Sequence, residues 1–222
     1  MTFDYDYYDF VFYKASIGHI LNLMNIRIQQ ARIKKQQSWK RARQCDFSTS
    51  VLNSMLSLNA LHSPSSPRFL VFYTPKICLD YTFGMITKGY LFSDVLGDYD
   101  DKLETLSLRF TLNKNEGNAI RELCYYRGNK RQRAIRVMQD PHWVLWVDGE
   151  PQPFEEGKSY EKVKGKLIRD YFTMDDMIHF ATNWGCPFDQ EDFWTSDQPM
   201  YVFGELENDE ALADWTEYPI GF

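Results

Sequence analysis

The residues of this chain able to do chemistry are scattered, and their spacing argues against a reaction centre. His19, His62, His142 and His179 stand alone, none with a second His or a Cys at one helical turn, so no metal-ligand set of the usual spacing is present. His179 and Cys186 come nearest, and they read as a half-exposed helix residue and a small buried thiol. Cys45, Cys78, Cys124 and Cys186 form no CxxC pair, and without a basic, apolar leader they are expected as buried thiols, not disulfides. The chain has no GxSxG elbow for a serine nucleophile and no GxGxxG or P-loop to cradle phosphates. Paired carboxylates occur at Glu155-Glu156, Asp175-Asp176 and Glu191-Asp192, where solvation and helix-dipole roles account for them. The expectation is a protein that is not an enzyme, with no catalytic residue, metal or cofactor assigned.

Charge supplies what catalytic groups do not. The net charge of −6 conceals a strong segregation: from Lys14 to Cys45 there are eight basic residues and no acidic one, and from Asp170 to Phe222 thirteen acidic residues and no Lys or Arg. Such an acidic stretch repels itself unless something offsets it, either the basic segment of the same chain or a basic partner steered in by opposite charge. The acids alternate with aromatic residues around Phe188, Phe193, Trp194, Tyr201 and Phe203. At an interface, aromatics supply contact area while carboxylates meet Lys and Arg. The candidate partner contacts are Asp189, Glu191, Asp192, Trp194, Asp197, Tyr201, Glu205 and Glu207. The alternative is a nucleic-acid strip along residues 27–43, where Arg27, Arg32, Lys34, Lys35, Lys40, Arg41 and Arg43 surround Trp39 as a stacking ring. The acidic end would compete for that strip.

The elements that must carry these groups read as one α+β domain over 1–222, with 1–62 mainly helical, 68–148 mainly β, and 158–222 a helix plus the acidic segment. Residues 1–13 alternate Tyr, Phe and Asp as an edge strand or extended arm. Ile17, Ile20, Leu21, Met24, Ile28 and Ala31 then recur at helical spacing. A basic continuation follows Ile33, and a second helix is expected after Ser48 or Thr49, with Val51, Leu52, Met55 and Leu58 inward. Beyond the Ser63–Pro67 break come strands over 68–74 and 77–83, then an antiparallel meander over 104–112, 119–126, 132–138 and 142–147 joined by Gly- and Asn-rich turns. Residues 159–170 read as helical. Thr173 with Asp176 forms a capping box for a helix closed by Gly185 and Pro187, and Met200 to Phe203 is strand-like. The acidic, aromatic start is unlike a signal peptide, and the stretch 10–28 is too polar to span a bilayer, so a cytoplasmic location is expected.

The run Trp143-Val144-Leu145-Trp146-Val147-Asp148-Gly149-Glu150-Pro151-Gln152-Pro153-Phe154-Glu155, with Tyr160 and then Arg169-Asp170-Tyr171-Phe172-Thr173 opening a helix, resembles a group of bacterial immunity-like proteins. Some of these look like immunity proteins encoded beside contact-dependent or other polymorphic toxins. The resemblance covers about a fifth of the chain and implies an inhibitor that binds a basic toxin, such as a nuclease, and occludes its active or substrate-binding surface. An accessory protein of phage or bacterial origin is a further class that the composition accommodates.

Overall fold

The computed structural model describes residues 7–34, 41–48, 52, 69–86, 96–111, 119–161, 164–204 and 216–219. Ten strands among them form one antiparallel sheet: β1 (Tyr7–Tyr13), β2 (Arg41–Cys45), β3 (Phe69–Tyr73), β4 (Thr82–Ile86), β5 (Glu104–Thr111), β6 (Ile120–Arg127), β7 (Lys130–Asp140), β8 (His142–Gly149), β9 (Met200–Gly204) and β10 (Thr216–Tyr218). Their order across the sheet is β10-β2-β9-β3-β4-β1-β5-β6-β7-β8. Two α-helices are described, α1 (Ile17–Ile33) and α2 (Met174–Trp184). No helix among the described residues is long and apolar enough to cross a membrane.

This overturns the expected division into a helical N-terminal portion, a β meander and a C-terminal helix with an acidic segment. All three portions contribute strands to one sheet. The stretch read as an edge strand or arm is β1, central in the sheet between β4 and β5. Its alternation of ring and carboxylate mimics a half-solvated strand, yet Tyr8, Phe10 and Phe12 fill one face and Asp9 is fully buried on the other. Asp9 tolerates that position because Arg109 stands opposite it at 3.4 Å. The basic residues 41–45 form β2, clasped between β9 and β10 from the acidic segment. The two oppositely charged ends of the chain therefore meet through backbone pairing.

Residues 77–80 turn where a strand was expected, and β4 begins at Thr82. The described part of 159–170 is irregular apart from one 3-10 turn at Ile168–Asp170. The Lys-rich composition there suits a helix, but Gly165 in the left-handed region at φ 86° interrupts it. Of the second expected helix, Leu52 alone is described, and it is buried; Val51, Met55 and Leu58 lie outside the described residues.

The two faces of the sheet carry separate cores. On one, Phe10, Phe12, Phe83 and Val202 pack under α2 (Met177, Phe180, Ala181) and the loop after it (Phe188, Phe193, Trp194). On the other, Val11, Leu70, Phe72 and Phe203 pack under α1 through Ile20, Leu21, Met24 and Ile28. Gly84 on β4 permits this closeness, since a Cβ there would stand 2.8 Å from the Phe72 ring and 2.9 Å from Val11. Ser16 caps α1 by accepting from the His19 amide. Thr173 and Asp176 form the reciprocal capping box of α2, and Gly185 closes it in the left-handed region at φ 106°. The Tyr81 hydroxyl then locks that end by donating to the Trp184 carbonyl at 2.7 Å.

Candidate functional site

The loop following α2 is built by burying its aromatic residues. Phe188, Phe193 and Trp194 are almost wholly enclosed, and the Trp194 indole Nε1 donates to the Phe188 carbonyl at 2.7 Å. Trp194 packs against Phe10 and Phe83 with ring centroids 5.5 Å apart in each case. Three anchors within seven residues leave the intervening side chains facing out, so Asp189, Glu191 and Asp192 are exposed in a fixed arrangement. The loop is further tied where the Lys76 amide donates to the Thr195 carbonyl at 2.8 Å. Asp197 is exposed and lies 3.4 Å from the Lys76 ammonium, an open ion pair worth little energy. Among the described residues no ion pair holds Asp189, Glu191 or Asp192.

Trp194 requires a correction. It was expected among the partner contacts, but at 2 % exposure it is an internal anchor that shapes the loop. Tyr201 is half-buried on β9 and meets the Tyr218 ring edge-on at 5.1 Å, away from the 189–197 acids in the chain and in a different element. Glu205 and Glu207 lie outside the described residues. The structure thus brings together Asp189, Glu191, Asp192 and Asp197 on one loop.

The described residues of the expected nucleic-acid strip fall on two elements. Arg27 and Arg32 sit on α1, while Arg43 sits on β2 with its side chain mostly buried. Lys35, Trp39 and Lys40 lie outside the described residues.

A second surface was missed by sequence reasoning. A groove of about 610 Å³ runs beside β8, lined by Trp143, Val144, Leu145, Val147, Tyr160, Lys166, Ile168 and Tyr171. β8 is the last strand of the sheet, so its outer backbone edge pairs with no described strand. The strand is nevertheless held stiffly. On the face away from the groove floor, Asp9, Arg109, Glu122, Arg136 and Trp146 stand opposite one another in successive strands. Arg109 lies 3.6 Å from Glu122, and Arg136 donates to both Glu122 oxygens at 2.8 Å. The row ends where the Trp146 ring receives the guanidinium groups of Arg131 and Arg136 at 4.9 and 5.4 Å from its centroid. Burial opposes ionisation of Glu122, but Arg136 and Arg109 outweigh it and hold its carboxyl below the usual range.

The other side of the groove is equally constrained. Arg121 donates to the Phe172 and Arg169 carbonyls, fixing the 169–172 wall, and its guanidinium covers the Trp143 ring at 5.6 Å. Tyr160 lies under the Arg133 guanidinium at 5.6 Å, and its hydroxyl oxygen is buried without a hydrogen-bond partner among the described residues. Burial, with the Glu155 and Asp176 charges adding to it, pushes the Tyr160 hydroxyl far up, so it remains a neutral donor. The signal in the sequence was the run from Trp143 to Val147, five apolar residues without a Lys or Arg, followed by Lys164, Lys166 and Arg169.

No group of three or more His, Cys, Asp or Glu able to hold a metal ion occurs among the described residues. Compared with protein-family models, curated proteins and solved structures, the chain matches none.

Proposed function

We propose that this protein binds and neutralises a basic protein, in the manner of a cytoplasmic immunity protein that occludes the active or substrate-binding surface of a cognate antibacterial toxin, for which a nuclease is the fitting class. The observation that supports this reading is the loop on which Phe188, Phe193 and Trp194 are buried while Asp189, Glu191, Asp192 and Asp197 face solvent. A carboxylate array on a rigid loop meets Lys and Arg without the entropic cost of ordering a mobile one. Opposite charge steers the encounter, and such an inhibitor works by coverage, with no catalytic group of its own. The nuclease class follows from its need for a basic phosphate-binding surface.

Gentle affinity capture from the native host, with every co-eluting component identified, tests the proposal. A stoichiometric basic protein, retained at moderate salt and active only once separated, supports it. Loss of that protein from the triple charge reversal of Asp189, Glu191 and Asp192 assigns the loop. Recovery of nucleic acid alone, released at high salt, overturns it in favour of a nucleic-acid binder.

A further inference from the structure

The two edges of the sheet are treated differently. One closes on β10, only three residues long. The other is β8, eight residues long, and between His142 and Val147 it holds no charged Lys, Arg, Asp or Glu. Long, flat, apolar edges are ordinarily blunted with Lys, Pro or a bulge, because their unpaired amide and carbonyl groups recruit other strands. β8 has Pro141 just before it and Pro151 shortly after it, but no such residue within its length. Val144 and Trp146 remain 48 % and 37 % exposed.

We propose that the β8 edge is a docking site for an extended segment of another protein, one that alternates apolar with acidic residues and adds as a further strand. The backbone edge would supply strand-to-strand hydrogen bonds, and the groove would take alternate side chains of the guest. Apolar guest residues meet Trp143, Leu145 and Ile168 on the groove lining. The guest's carboxylates meet Lys166 on the groove lining, with Lys164 and Arg169 exposed close by in the chain and Arg169 3.8 Å from Asp170. Tyr160 contributes a buried hydroxyl without a hydrogen-bond partner among the described residues.

Charge selects this occupant over a second copy of the chain. Two β8 strands paired across a twofold axis would each present the other's basic wall with a strand whose one carboxylate is Asp148, already 2.9 Å from Arg131. This site is distinct from the 189–197 loop and does not rest on the toxin-binding reading.

The test uses the full chain and two fluorescent probe peptides of the eight-residue length of β8, one alternating isoleucine with glutamate and one alternating isoleucine with lysine. Saturable binding of the glutamate probe is expected, at least about tenfold tighter than the lysine probe, with amide exchange slowed across 142–149. Lys166→Glu and Val144→Lys, both at exposed positions, are each expected to weaken the glutamate probe by about tenfold or more while leaving the unfolding midpoint unchanged. Absence of saturable binding, equal affinity for both probes, or indifference to Lys166→Glu overturns the proposal. A dimer in light scattering that Val144→Lys converts to a monomer also overturns it, assigning the edge to a second copy.

Discussion

Arg133 on β7 and Glu155 in the loop after β8 form a two-point ion pair sealed inside the protein. The Arg133 Nε and Nη2 donate to the two carboxylate oxygens at 2.9 and 2.7 Å, with the side chains 4 % and 0 % exposed. Glu155 also accepts from the Gln152 amide at 2.7 Å, and Arg133 donates to the Gly149 carbonyl. The Pro-rich turn that follows β8 is thereby pinned to the neighbouring strand, and Tyr160 is laid beneath the same guanidinium. Removing one partner strands a buried charge. Glu155→Ala is expected to cost about 3–5 kcal/mol in urea unfolding, and joint replacement of Arg133 by Met and Glu155 by Leu to recover at least about 2 kcal/mol of it.

Acid unfolding should follow the carboxylates held in their charged form. Burial opposes ionisation of Asp176, but the Lys158 ammonium and the Thr173 hydrogen bonds outweigh it, so its carboxyl lies below the ordinary range, as does that of Glu122. As pH falls, the unfolded chain takes up these protons first, near pH 4, while the folded chain resists them. Their stabilisation is therefore complete above about pH 4 and is lost as pH drops through the depressed folded values. Denaturant midpoints measured from pH 7 down to about pH 2.5 should show that loss, and Glu122→Gln with Asp176→Asn should flatten the slope while lowering stability at neutral pH.

The 189–197 loop separates shape from charge. Trp194→Ala is expected to cost about 3–5 kcal/mol, because it empties a fully packed aromatic site. Reversing Asp189, Glu191 and Asp192 together should leave stability within about 0.5 kcal/mol, because each side chain is exposed and outside any ion pair among the described residues. Thermal unfolding of the two variants checks the contrast.

Gly149 and Gly157 share a left-handed backbone, at φ 80° and 74°, but differ in their surroundings. A Cβ at Gly149 would stand 2.0 Å from the Gln132 carbonyl oxygen, whereas at Gly157 no atom of the described residues lies within 4 Å. Gly157→Ala should therefore cost only the conformational penalty of about 1–2 kcal/mol. Gly149→Ala should cost more than that and separate the end of β8 from β7, read by chemical denaturation and amide exchange of 145–149.

The meander from β5 to β8 was legible because its strands are neighbours in both sequence and space, and alternation reports which face is buried. The α2 boundaries were legible for a similar reason: Thr173, Asp176 and Gly185 act within one or two turns of chain. What the local pattern could not convey was sheet order. Asp9 looks solvent-facing until Arg109, a hundred residues on, is known to stand opposite. Residues 41–45 look like basic surface until β9 and β10 enclose them. At the candidate site, the four clustered acids were visible as charge, while the inward turn of Trp194 was not, since an aromatic residue among carboxylates reads equally as anchor or plug. The β8 edge escaped notice because nothing within a strand's own sequence says that it has one neighbour among the described strands.

The position of β9 between β2 and β3 has a consequence for synthesis. Every residue of β3 is buried, and one of its two flanking strands is not translated until Met200–Gly204. A ribosome that stalls or terminates before that point releases a chain whose Phe69–Tyr73 edge is bare and whose β2 has nowhere to dock. Such a product is a substrate for aggregation and proteolysis. The topology thus acts as a proofreader of length: Met200–Gly204 must be made before β2 and β3 can settle.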